Sequence, residues 1–122
     1  MLSDADLIPF AYIQDWPAAR AFYEGCLGLT WRPRTDDWVM VATASGTRCA
    51  LISEARRHET GPVHRAGLFF AVAGGLDVRL DALAAQGVSI VRPLHRFSHG
   101  AEAAIADPDG NVLVLYETNI GF

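Results

Sequence analysis

Long apolar runs, a basic charge balance and a cysteine framework are all missing from this 122-residue chain. Its apolar runs fall far short of the roughly 20 residues that span a bilayer, so no membrane partner is expected. The net charge of −4 argues against a nucleic-acid partner and is compatible with a cationic ligand. The N-terminal residues show neither a basic segment nor a long apolar one, which predicts no signal peptide and a cytoplasmic location. Cys26 and Cys49 form no metal-binding spacing and are expected to be buried free thiols.

What the chain does contain is an ordinary globular composition, with 51% hydrophobic and 20% charged residues. This length and composition predict a single soluble domain, residues 1–122. Apolar periodicity and turn signals give a strand, a helix and three strands, and then the same order again. The two βαβββ modules span residues 6–54 and 65–118, and the expected fold class is α+β.

Local signals mark the ends of these elements. Asp15 is placed to cap the first helix, and Gly28 is expected to end it. The stretch Asp107-Pro108-Asp109-Gly110 has the residues that a type I turn prefers at its first, second and fourth positions. Because apolar strands flank this stretch, it predicts a closing hairpin.

Two segments, QDWPAARAFYEGCLGL (14–29) and ADPDGNVLVLYE (106–117), together resemble the vicinal oxygen chelate superfamily. That superfamily includes glyoxalase I, bleomycin-resistance proteins and extradiol dioxygenases. The resemblance implies that the two modules form curved mixed sheets, which combine into a cup with the helices outside. It also implies a homodimer, with the cup completed either within one chain or between two chains. In the catalytic members, the first and last strands of each module supply the ligands of a divalent metal.

The resemblance places those four ligand positions at Ile8, Ser53, Gly67 and Glu117. Only Glu117 binds a divalent cation well, and a metalloenzyme needs about three protein ligands. We therefore predict no metal and no other cofactor. A shifted register that recruits Glu54 and His64 would restore a metal site, so a metal-dependent glyoxalase-like lyase, isomerase or dioxygenase is the alternative.

Strand alternation predicts an apolar, partly aromatic lining for the cup. The expected ligand-binding residues are Ile8, Phe10, Tyr12, Trp38, Leu51, Ser53, Gly67, Phe69, Leu113, Leu115 and Glu117. The opposite face of the last strand, with Val112, Val114 and Tyr116, is expected to pack on a helix. Such a cavity suits a small organic molecule. An aromatic ligand would stack on the tryptophans, and a cationic one would also gain from Glu117.

The candidate catalytic residues are Glu117 and His99. His99 and His95 fit a surface loop, but His99 near the cup mouth is also placed to act as a general base. Glu117 has its own alternative, an ion pair with an arginine such as Arg34 or Arg48. The favoured hypothesis is a metal-independent binding protein for a small organic ligand, similar to the antibiotic-sequestering branch of the superfamily. A small accessory domain with a vestigial cup is the third hypothesis.

Overall fold

Two four-stranded mixed sheets make up the framework of this computed structural model, which describes residues 3–4, 8–55, 68–98 and 100–119. The first sheet has the order β1-β4-β3-β2 and the second the order β5-β8-β7-β6. The strands are β1 Phe10–Ile13, β2 Thr30–Thr35, β3 Trp38–Ala42, β4 Arg48–Ser53, β5 Leu68–Val72, β6 Ser89–Phe97, β7 Gly100–Ala106 and β8 Val112–Thr118. In each sheet the first and last strands of a module pair in parallel, and the other pairs are antiparallel. The predicted α+β fold of two βαβββ modules is confirmed.

The first helix is α1, Trp16–Arg20, which continues as a π-helical segment over Ala21–Cys26. Its start is set by Asp15, whose Oδ1 accepts a hydrogen bond from the backbone N–H of Ala18 at 3.0 Å. The chain leaves the helix through Gly28, whose φ of +71° lies in the left-handed region that glycine adopts without a Cβ penalty. The predicted cap and stop are confirmed.

The second helix, α2, spans Leu76–Ala85 and covers the second sheet. Leu76, Leu80 and Leu83 recur at helical spacing and are buried against that sheet. In the described part of the chain, neither helix has the length and hydrophobicity needed to cross a bilayer.

The closing hairpin is built around the buried carboxylate of Asp107. Its Oδ1 accepts hydrogen bonds from the backbone N–H groups of Asp109 and Asn111, at 2.9 and 2.8 Å. The N–H of Gly110 donates to the carbonyl of Asp107 at 3.1 Å and closes the turn. The predicted hairpin turn is therefore confirmed.

The same hairpin joins the two modules. Tyr23, on the π-helical segment of the first module, donates its hydroxyl to Asp107 Oδ2 at 2.8 Å. The side-chain amide of Asn111 donates to the carbonyl of Tyr12 on β1 at 3.0 Å. One hydrophobic cluster includes buried residues of both modules and both helices. The two modules are thus held together by shared apolar packing and by two buried hydrogen bonds.

Candidate functional site

The strand registers divide the first sheet into a helix-facing side and a concave side. The helix-facing side carries the buried residues Ala11, Ile13, Val39, Val41, Cys49 and Leu51. Directly paired residues share a face, so the concave side has one row of Phe10, Ala50, Met40 and Arg32, and a second row of Tyr12, Ile52 and Trp38. The concave side therefore combines aromatic side chains on β1 and β3 with a cation on β2.

The second sheet repeats this arrangement. Its helix-facing side carries Leu68, Ala101, Ala103, Ile105, Leu113 and Leu115, all of which are buried. Its concave side has one row of Phe69, Val114, Ala104 and Arg92, and a second row of Ala71, Tyr116, Glu102 and His95. A phenylalanine on the first strand and an arginine on the second strand thus occupy equivalent positions in both modules.

A continuous strip of aromatic rings crosses the concave side of the second sheet. The ring centroids of His95 and Phe97 are 5.8 Å apart, those of Phe97 and Tyr116 are 5.7 Å apart, and those of Tyr116 and Phe69 are 5.6 Å apart. Phe69 is 59% exposed. On the first sheet, Phe10 and Tyr12 pack edge to face at 5.5 Å. These rings provide flat apolar surface with polar edges, as sites for small aromatic molecules do.

A cavity of about 230 Å³ lies where the two sheets meet. Its walls include Pro9 just before β1, Arg48 and Cys49 of β4, and Leu68 and Phe69 of β5. Both modules therefore contribute to the same recess, and one of its walls is cationic.

Charged side chains are few on the concave side. Arg92 Nη1 lies 3.4 Å from Glu102 Oε1, so these two residues neutralise each other. The equivalent arginine of the first module, Arg32, is exposed and has no ion partner within residues 8–55, 68–98 or 100–119. The position equivalent to Glu102 is occupied by Trp38, whose indole N–H is buried without an acceptor in the described part of the chain.

Several of the predicted lining residues lie on the concave side, and several do not. Phe10, Tyr12, Trp38 and Phe69 are on it. Five others, predicted to share that face, lie instead on the helix-facing side: Leu51, Ser53, Leu113, Leu115 and Glu117. Conversely, Val112, Val114 and Tyr116, expected against a helix, are on the concave side. The predicted phase of β4 and β8 was wrong by one residue, and a slip of one residue exchanges the two faces of a strand.

The remaining predicted residues are outside the strands or outside the described residues. Ile8 precedes β1 and is half-buried. Gly67 and His99 lie outside the described residues, as do His58 and His64. His95 is part of β6 and contacts Phe97, whereas a surface loop was predicted for it.

Glu117 contacts the N-terminus of α2 rather than the cup. Its Oε2 accepts a hydrogen bond from the backbone N–H of Leu76 at 3.2 Å. Its Oε1 lies 3.8 Å from Arg96 Nη1, so the arginine beside it is neither Arg34 nor Arg48. The first N–H groups of a helix have no partner within the helix, and the helix dipole favours negative charge there. The carboxylate therefore stabilises the start of α2.

The centres of the first and last strands, on the concave side of each module, carry no donor side chain for a divalent metal. On the concave side, the centres of the first and last strands carry Phe10 and Ala50 in one module and Phe69 and Val114 in the other. None of these four side chains has a nitrogen or oxygen donor. No group of three or more histidine, cysteine, aspartate or glutamate residues placed to hold a metal occurs in the described ranges.

A protein-family model covers most of the chain. Residues 9–115 match the family model described as Glyoxalase/Bleomycin resistance protein/Dioxygenase superfamily, and the chain belongs to that superfamily. No curated protein matches the chain.

Solved structures agree in fold at low sequence identity. A superfamily member from Sphaerobacter thermophilus is 22% identical, with a TM-score of 0.76 over 93% of this chain and 98% of the other. A lactoylglutathione lyase from Agrobacterium tumefaciens is 20% identical, with a TM-score of 0.74 over 97% and 98% of the two chains. A virulence protein from Salmonella typhimurium is 19% identical, with a TM-score of 0.74 over 93% and 97%. At these identities the likeness establishes the fold alone.

The residues that sequence reasoning missed are Arg32, Arg92, Phe97, Glu102 and Tyr116. One signal could have identified two of them, because both β2 and β6 contain an Arg-Pro dipeptide, at 32–33 and 92–93. Proline is tolerated on edge strands, where its missing N–H breaks no ladder. The repeated dipeptide therefore marks equivalent outer strands, and counting inwards from it gives the concave rows.

Proposed function

We propose that this protein binds a small, flat aromatic molecule in the cup and needs no metal to do so. The observation that carries the proposal is the aromatic strip of His95, Phe97, Tyr116 and Phe69, with centroids 5.6 to 5.8 Å apart. Stacked or edge-on aromatic contacts each add about 0.5–1.5 kcal/mol beyond the burial of their area. A ligand ring that covers this strip would add contacts of this kind and would bury the exposed surface of Phe69.

The donor set of the concave side supports binding without a metal. The four central positions on the first and last strands are apolar, and Glu117 is engaged at the N-terminus of α2. A metal-dependent glyoxalase-like activity would need its oxygen and nitrogen ligands elsewhere. An antibiotic of the kind that bleomycin-resistance proteins sequester and a flat aromatic metabolite would both satisfy this proposal. Assembly into a homodimer and a cytoplasmic location remain predictions.

The direct test is calorimetric titration of the purified protein with 2-naphthol, a neutral two-ring probe. Phe69→Ala removes the exposed end of the strip and should weaken binding about tenfold, since 1.4 kcal/mol corresponds to a factor of ten. Val78→Ala is the matched control, because Val78 is 69% exposed and lies on α2, away from the cup. It should leave the affinity unchanged.

The metal requirement is tested on the same samples. Elemental analysis of the purified protein and titration in the presence of EDTA should show no stoichiometric metal and an unchanged affinity. Stoichiometric zinc, nickel, iron or manganese whose removal abolishes probe binding would instead support the metal-dependent alternative. Equal weakening by Phe69→Ala and Val78→Ala would exclude the strip as the binding surface.

A further inference from the structure

The strand registers place three arginines and one glutamate on the concave side, although the whole chain is acidic, with a net charge of −4. These four residues are Arg32, Arg48, Arg92 and Glu102. Arg92 is matched by Glu102 at 3.4 Å. Arg32, in the first sheet, has no ion partner within residues 8–55, 68–98 or 100–119.

Arg32 and its counterpart in the second module, Arg92, differ in the side chain that the neighbouring row places beside them. Both arginines stand on an outer strand, at the end of a row that begins with a phenylalanine. In the second module the neighbouring row holds Glu102, whereas in the first module the equivalent position holds Trp38. The sheet thus supplies a counter-charge to one arginine and an aromatic ring to the other.

Trp38 adds a second donor beside Arg32. Arg32 pairs with Met40, and Trp38 is two residues from Met40 along β3, so Arg32 and Trp38 are diagonal neighbours with Cα atoms about 7–8 Å apart. The indole N–H is buried and has no acceptor among the residues described. A buried N–H group without an acceptor costs free energy. A ligand oxygen that reaches this N–H therefore gains from the indole as well as from the guanidinium of Arg32.

We infer that the ligand of the cup is a planar aromatic carboxylate, with Arg32 as the residue that recognises its charge. The inference rests on the proposed function and replaces the cationic ligand that the sequence suggested. The carboxylate accepts hydrogen bonds from the guanidinium of Arg32, and its ring lies against aromatic side chains of the concave side. Arginine suits this role because its planar fork matches a carboxylate in two parallel hydrogen bonds.

The experiment compares three probes that share one ring system: naphthalene-2-carboxylate, naphthalene-2-carboxamide and 2-naphthylmethylammonium. Calorimetry at low ionic strength should give the carboxylate about tenfold tighter binding than the carboxamide, and the ammonium the weakest binding. Arg32→Gln should remove the advantage of the carboxylate and leave carboxamide binding unchanged. Arg34→Gln is the matched control, because it makes the same charge change on the same exposed strand outside the paired row.

The outcomes separate this inference from the proposal beneath it. If the carboxylate and the carboxamide bind alike, the cup binds aromatic rings but the charge preference is wrong. If Arg34→Gln lowers the carboxylate affinity as much as Arg32→Gln, the preference comes from the general field and not from Arg32. If the ammonium binds tightest, the sign of the preference is reversed. If none of the three probes binds, the proposed function itself fails.

Discussion

The buried hydrogen bond between Tyr23 and Asp107 leads to a prediction about stability at high pH. Tyr23 is fully buried and donates to Asp107 Oδ2 at 2.8 Å. Burial, and then the negative charge of Asp107, raise the pKa of Tyr23 well above its ordinary value of 10.0. The folded protein therefore keeps the phenolic proton at a pH where the unfolded chain has lost it. Proton loss favours the unfolded state, so stability falls as pH rises above about 10.

The size of the effect follows from proton linkage. One proton held only by the folded state lowers the free energy of unfolding by about 1.4 kcal/mol per pH unit. Burial also raises the pKa of Cys49 from 9.0 to about 12, so this thiol adds an equal slope that begins about one pH unit lower. All ten basic residues are arginine, so no lysine titrates in this range. Near pH 11, where both groups differ almost fully between the two states, the wild-type slope should be about 2.5 kcal/mol per pH unit.

Tyr23→Phe should halve that slope and leave the part due to Cys49. At pH 7 the substitution should also lower the free energy of unfolding by about 1.5–3 kcal/mol, because a hydrogen bond to a charged group is lost. Urea unfolding at pH 7, 9, 10, 11 and 11.5 measures both effects, provided that the m-value is unchanged. Cys49→Ala is the complementary control and should remove the loss that begins near pH 9. Equal slopes for wild type and Tyr23→Phe would refute the assignment of the proton to Tyr23.

Three further substitutions test single structural roles by urea unfolding. Glu117→Gln should lower the free energy of unfolding by about 0.3–1 kcal/mol, because the charge at the start of α2 is lost. A loss of 2-naphthol binding would instead show that Glu117 contributes to the ligand site. Gly110→Ala should cost about 1–2 kcal/mol, since its φ of +83° strains any residue with a Cβ and nothing else lies within 4 Å; an unchanged midpoint would contradict the left-handed turn. Leu51→Ala should lower the free energy of unfolding by about 2–5 kcal/mol, because Leu51 is 0% exposed in the core. A decrease below about 1 kcal/mol would contradict this burial and favour the predicted position on the cup lining.

Much of the fold could be predicted because its element boundaries are marked locally. Asp15 caps its helix through its own side chain, and Gly28 supplies the left-handed residue that ends it. The hairpin at Asp107 uses hydrogen bonds that reach only two to four residues along the chain. Signals of this kind are complete within a few residues. Element order therefore followed from the sequence without knowledge of which strands pair.

The lining of the cup could be predicted only in part, because face assignment depends on register between distant strands. The segment Val112–Tyr116 is apolar on both faces, so alternation gives two phases of equal merit. In the structure, α2 buries Leu113 and Leu115, while Val112 remains 40% exposed on the other side. The covering helix selects the phase, and it lies about thirty residues earlier in the chain. Phe10 and Phe69 were placed on the concave side because each begins a module next to a recognisable boundary.

The internal repeat explains why two similar half-sites need not bind the same group. Backbone pairing is repeated, so Arg32 and Arg92 stand in equivalent positions, as do Phe10 and Phe69. Pairing does not constrain what occupies the adjacent row, where Trp38 replaces Glu102. A counter-charge 3.4 Å from Arg92 leaves that half nearly neutral, and the indole leaves the charge of Arg32 available to a ligand. A single substitution in an otherwise repeated sheet thus gives the cup one end suited to an anion and one suited to an uncharged ring.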